Sequence, residues 1–110
     1  MVKYLGDAVM FVTHGAPSAV RVAKGLIEAA HARGMQARVG VTIGTVLALE
    51  GDYFGPVVNL AARLVSMADA GEVLVTVEIV DRLDDAVDIE PLGPRMVRGF
   101  TAPIELARLR

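Results

Sequence analysis

The sequence predicts an α+β domain, on three observations. The chain opens on a strand, tight turn and strand pattern over residues 4–13. Two segments with apolar residues at helical spacing follow, and short β-prone runs close the chain. At 110 residues and 54% apolar content there is material for one core, so residues 1–110 are expected to form a single domain.

In the opening hairpin, Leu5-Gly6-Asp7 is the corner and Val9-Met10-Phe11-Val12 the β-prone run leaving it, which puts Asp7 at an exposed tip. Gly15-Ala16-Pro17 breaks that strand. Val20, Ala23, Ile27 and Ala30 then recur at helical spacing until Gly34 supplies a stop. Over residues 38–49 the pattern becomes alternation, with Val39, Val41 and Ile43 on one face and Gly40, Thr42 and Gly44 on the other. A face made of glycines invites a close approach. Pro56 suits the first position of a second helix, expected to run to about Ala68 and to end at Ala70-Gly71. A short apolar strand at Val73-Leu74-Val75 and a helical turn from near Thr76 come next. Three short strands are expected at the end, over residues 87–91, 95–98 and 104–109, separated by Gly93-Pro94 and by residues 99–103.

Composition excludes several roles. A formal net charge of -2 argues against a nucleic-acid partner, whose footprint is a basic patch on a basic domain. Without cysteine there is no disulfide frame, thiolate metal site or thiol nucleophile, which is compatible with a reducing cytoplasm. The longest run lacking Asp, Glu, Lys and Arg, residues 8–20, contains glycine and proline and falls short of the roughly 20 apolar residues a membrane helix needs. Residues 1–25 do not have the pattern of an export signal, and a cytoplasmic location is expected.

The chemistry concentrates in Gly51-Asp52-Tyr53-Phe54-Gly55-Pro56 and the helix after it. A spacing of four places Asn59 and Arg63 side by side on one helical face. An amide beside a guanidinium offers a neutral donor and a planar charged fork, suited to holding a polyphosphate while charge builds on its oxygens. Alone, the pattern N-x-x-x-A-R would describe a solvated surface helix. Its company argues for more.

Four strings in order, K-x-L-G-D-A-V-M, G-D-Y-F-G-x-V-V-N-x-A-A-R, A-G-E-V-L-V and V-R-G-F, resemble the class III nucleotidyl cyclase catalytic domain over nearly the whole chain. The resemblance implies a ferredoxin-like fold with a mostly antiparallel sheet packed with helices. It also implies an adenylate cyclase activity, in which the ribose 3′ hydroxyl of ATP attacks the α-phosphate and expels pyrophosphate. Such sites lie between two domains and use two divalent cations, Mg2+ or Mn2+. By the same resemblance, Asp7 matches the second metal-binding aspartate, and a carboxylate at a hairpin tip suits a hard cation. Lys3 and Asp52 match the pair that reads adenine, whose ring N1 accepts a proton while its exocyclic amine donates one. Asn59 matches the residue that orients the ribose, and Arg63 the one that stabilises charge on the phosphate. Arg98 falls where the family usually carries a lysine for the terminal phosphates; arginine keeps the charge but changes the geometry. His14 matches no ligand of the family and receives no role.

A complete domain of this family begins with a strand carrying F-x-D-x-x-G-F-T, which supplies the first metal-binding aspartate and a central strand. These 110 residues lack that segment, so the fold is expected to be truncated at the N-terminus and activity of the chain alone weak or absent. Unpaired apolar edges are then expected to be covered in a homodimer, in a domain-swapped dimer or against a full-length cyclase. The alternative function is a noncatalytic dimerisation or nucleotide-binding partner of complete cyclases.

Overall fold

A computed structural model describes residues 2–5, 8–11, 15–44, 47–49, 52–83 and 87–109. Two short antiparallel hairpins are present. In the first, β1 (Val2–Leu5) pairs with β2 (Ala8–Phe11), Leu5 opposite Ala8. In the second, β4 (Leu47–Leu49) pairs with β5 (Asp52–Phe54), Leu49 opposite Asp52. The main sheet has four strands in the order β3 (Val39–Val41), β6 (Val73–Thr76), β8 (Ile104–Leu109), β7 (Ile89–Arg95). It is mixed: β3 runs parallel to β6, while β6 and β7 both run antiparallel to β8.

Period-2 alternation divides the side chains of this sheet between two cores. On one face, Val39 and Val41 of β3, Val73 and Val75 of β6, and Ala107 and Leu109 of β8 pack with Ala16, Val20 and Ala23 of helix α1 (Ala16–Ala32) and with Ile79 of the short helix α3 (Val77–Val80). On the other face, Leu74 and Leu106 meet Leu60 and Leu64 of helix α2 (Pro56–Met67), together with Ala68 and Val97. Strand β6, central and covered on both sides, is buried at all four positions, and its first three, Val73-Leu74-Val75, read as an apolar run. Burying a residue such as Leu64 completely contributes about 2 kcal/mol.

The Gly40 face of β3 is where α2 sits. A Cβ on Gly40 would stand 2.6 Å from the Ala61 carbonyl oxygen and 2.7 Å from Leu64 Cβ. One on Gly44 would collide with the Val57 side chain. The close approach invited by the alternating glycines is therefore made by the helix that carries Asn59 and Arg63. At the far end of the same sheet face, Arg108 forms ion pairs with Glu72 and, at 2.7 Å, with Glu90, joining the start of β6 to β8 and β7.

Both long helices occupy the expected places. The turn after α1 closes through Gly34 N–H to the His31 carbonyl and Met35 N–H to the Ala30 carbonyl, a Schellman arrangement. Gly55, at φ 146 and ψ 163, occupies a region open almost only to glycine and lets β5 turn straight into α2 with Pro56 in its first turn.

Three expectations need correction. The alternation over residues 38–49 is not one strand: the ladder to β6 ends at Val41, and Leu47–Leu49 pairs with β5 instead. Asp52 accordingly belongs to a strand. At the other end, two strands replace the three expected, because β7 continues through Gly93-Pro94 with a shift of register and does not end there. Gly93, at φ 73, sits at a register shift within β7, and Pro91 and Pro94 are tolerated because β7 pairs only with β8 and lies at the sheet edge. Residues 96–100, expected to be partly strand, lie outside the ladders and include a turn closed by the Phe100 N–H to the Val97 carbonyl at 3.0 Å.

Two glycine substitutions separate close packing from open helix. Gly40→Ala is expected to lower unfolding free energy by about 1–3 kcal/mol through overpacking against α2. Gly25→Ala, in α1 with nothing within 4 Å of the added methyl, is expected to raise it by about 0.5–1 kcal/mol. Urea denaturation of both variants checks the pair, and a neutral Gly40→Ala would contradict the tight seat.

Candidate active site

Helix α2 organises the site. Leu60 and Leu64 on its inner face, followed by Ala68 just past its end, enter the core, so residues rotated away from that stripe emerge toward solvent. Asn59 and Arg63 are both exposed. Four residues apart in a continuous helix, they are neighbours about 5–6 Å apart at Cβ. Among the described residues neither side chain is engaged in a hydrogen bond or ion pair, which leaves an amide and a guanidinium available together.

The N-terminal end of this helix is fixed from below. Thr42, just after β3, donates its hydroxyl to the Val57 carbonyl at 2.8 Å, and the Val58 and Asn59 N–H groups reach the Gly55 carbonyl at 3.1 and 3.3 Å. Thr42 was not among the residues singled out in the sequence. Its signal was its place between Gly40 and Gly44 on the face that receives α2.

Arg98 is exposed and stands in the turn after β7, not in a strand. The residue before it, Val97, is buried in the same cluster as Leu60 and Leu64, with Phe100 packed against it. One core therefore anchors both the helix bearing Arg63 and the turn bearing Arg98. Lys3 lies on β1 opposite Met10, and Asp52 is the first residue of β5, four positions before Pro56 opens α2. These two belong to separate hairpins. Asp7 and His14 lie outside the described residues. Among the described residues no three carboxylate, histidine or cysteine side chains gather as a metal site would require. No helix among them is long and apolar enough to cross a membrane.

The model of the adenylate and guanylate cyclase catalytic domain family matches residues 2–106. The chain belongs to this family. An uncharacterized protein of Mycobacterium tuberculosis is 45% identical over 106 residues, a match that spans 94% of this chain and 28% of the relative. A protein named adenylate cyclase from Streptomyces coelicolor is 42% identical over 85 residues, spanning 76% of this chain and 22% of the relative. The chain thus spans less than a third of the length of these curated relatives. Among solved structures, an adenylate/guanylate cyclase/hydrolase from Silicibacter pomeroyi superposes with a TM-score of 0.80 at 29% identity, over 98% of this chain and 70% of that one. Adenylate cyclases of Trypanosoma brucei in their monomeric state reach a TM-score of 0.84 at 23% identity, covering 98% of this chain and 68% of theirs, which speaks for the fold.

Because Asn59 and Arg63 are exposed and outside the packing, Asn59→Ala and Arg63→Ala are each expected to unfold within about 0.5 kcal/mol of wild type. Thermal or urea unfolding measures this, and a large loss would assign the pair a structural role.

Proposed function

We propose that this cyclase-family chain contributes to an adenylate cyclase site that converts ATP to cyclic AMP and pyrophosphate. The observation that carries the proposal is the joint exposure of Asn59 and Arg63 on the outer face of a helix whose inner face is buried. In this role the Asn59 amide orients the ribose so that its 3′ hydroxyl lies in line with the α-phosphate. The Arg63 guanidinium neutralises charge developing on the phosphate oxygens as the ring closes and pyrophosphate leaves. Arg98 binds the terminal phosphates as a fork where a lysine would be a point charge.

Adenine recognition is assigned to Lys3 and Asp52. The lysine ammonium donates to ring N1 and the aspartate accepts from the exocyclic amine, a pattern that guanine does not satisfy. The adenylate cyclase name borne by the Streptomyces coelicolor relative supports ATP over GTP.

A magnesium or manganese ion would supply charge neutralisation on the triphosphate, with Asp7 as one carboxylate. Asp7 lies outside the described residues, and among those described no group of three carboxylate, histidine or cysteine side chains gathers. We assign the remaining carboxylate to another polypeptide segment, and accordingly propose weak or no turnover by these 110 residues alone. An exposed catalytic pair fits a site completed across an interface, in a homodimer, by strand exchange, or with a full-length cyclase.

Complementation tests this. The chain is mixed, with ATP and Mn2+, with a complete cyclase domain disabled at its own asparagine and arginine pair, and cyclic AMP is measured. The expected result is production in the mixture above either component alone, lost in Arg63→Ala and Asn59→Ala by about a hundredfold or more. No gain from a well-folded mixture would favour a noncatalytic dimerisation or nucleotide-binding partner. In the productive mixture, Lys3→Glu is expected to erode the preference for ATP over GTP.

A further inference from the structure

We propose that Thr42 is a positioning residue for the Asn59 and Arg63 pair, its hydroxyl fixing where along β3 the helix that bears them is seated. Three contacts join β3 and its extension to α2. Gly40 lies under Ala61 and Leu64, Gly44 lies against the Val57 side chain, and Thr42 Oγ1 donates to the Val57 carbonyl at 2.8 Å. Residues 57, 61 and 64 lie along one face of the helix, so the contacts form a line parallel to its axis.

The three contacts differ in kind. Glycine contacts set how close the helix comes, but van der Waals contact is tolerant of small sliding. A hydrogen bond is directional and weakens as donor and acceptor leave alignment. Thr42 therefore supplies the axial constraint that the glycines do not. The constraint falls on the second residue of α2, in the turn that carries Asn59. An α-helix transmits an axial shift along its length, so a slip at Val57 becomes an equal displacement of Asn59 and Arg63. The pair projects on the opposite side, rotated about 200–240° from Val57 at roughly 100° per residue. Thr42 thus acts from beneath the helix and touches neither side chain.

The geometry also explains the hydroxyl at this point, one residue past the end of β3. Val57, inside a helix, offers a carbonyl whose second lone pair remains open when the intrahelical bond is made. A β-branched residue with a hydroxyl fills the same space as valine and uses that lone pair. Thr42→Val keeps shape and removes the bond, whereas Thr42→Ser keeps the bond and removes a methyl.

The catalytic consequence rests on the cyclase reading; the seat itself does not. Two measurements keep them apart. Hydrogen exchange on the purified chain is expected to show the amides of the first two turns of α2 exchanging about fivefold to tenfold faster in Thr42→Val, with other elements unchanged and Thr42→Ser close to wild type. In the complementation mixture, Thr42→Val is expected to lower kcat about tenfold with KM for ATP within about twofold, and Thr42→Ser to restore most of it. Unchanged exchange in α2, or an increase spread evenly over the chain, overturns the proposal. So does equal loss of kcat in both variants, or a loss that follows global stability. A wild-type mixture that makes no cyclic AMP refutes the cyclase reading, and the exchange measurement still decides the seat.

Discussion

The structure depends on one close approach, that of α2 onto the side-chain-free face of β3. Because a Cβ at Gly40 would fall 2.6 Å from the Ala61 carbonyl oxygen, the backbones there come nearer than any other residue would permit. That proximity lets Leu64 reach complete burial and brings Leu60 onto the same cluster as Leu74, Leu106 and Val97. It also decides what is left outside. A helix driven this deep by its inner stripe has no choice about its outer one, so the polar pair is displayed because the leucines are buried.

The two sheet faces carry different duties. The α1 face is an aliphatic core built mostly of valines and alanines, with Ile79 and Leu109. The α2 face is shared between packing and presentation: its apolar cluster holds both the helix of Asn59 and Arg63 and the turn of Arg98, and its far end is closed by Arg108 between Glu72 and Glu90. In that trio one guanidinium is shared between two carboxylates, which ties β6, β8 and β7 together at that end.

Much of this was legible in the sequence where a local signal and the tertiary outcome coincide. Pro56 opening α2, Gly34 ending α1, the buried run Val73-Leu74-Val75, and Asn59 and Arg63 sharing a face all follow from short-range rules. What failed were inferences about partners. Alternation past Val41 has the right period for a strand but does not say which strand it pairs with, and Leu47 to Leu49 joins β5. Gly93-Pro94 carries the mark of a turn, yet an edge position and a bulge absorb both residues, because the missing N–H of a proline matters only where a neighbour needs it. Thr42 was placed on the right face but given no role for the same reason: its worth depends on the carbonyl opposite. The roles proposed for Lys3, Asp52 and Arg98 come from the resemblance to cyclases, and that for Asp7 from the resemblance together with its place at the expected hairpin tip.

The prolines of β7 have a further consequence. They blunt one margin of the four-stranded sheet, since Pro91 and Pro94 offer no donor to an incoming strand. Among the described residues the opposite margin, β3, carries no such block. A sheet receptive on one side only cannot propagate, because each added copy would present its blunted side to the next. Any pairing through β3 would therefore stop at two copies, since the β7 margin offers no donor at Pro91 or Pro94 to a third.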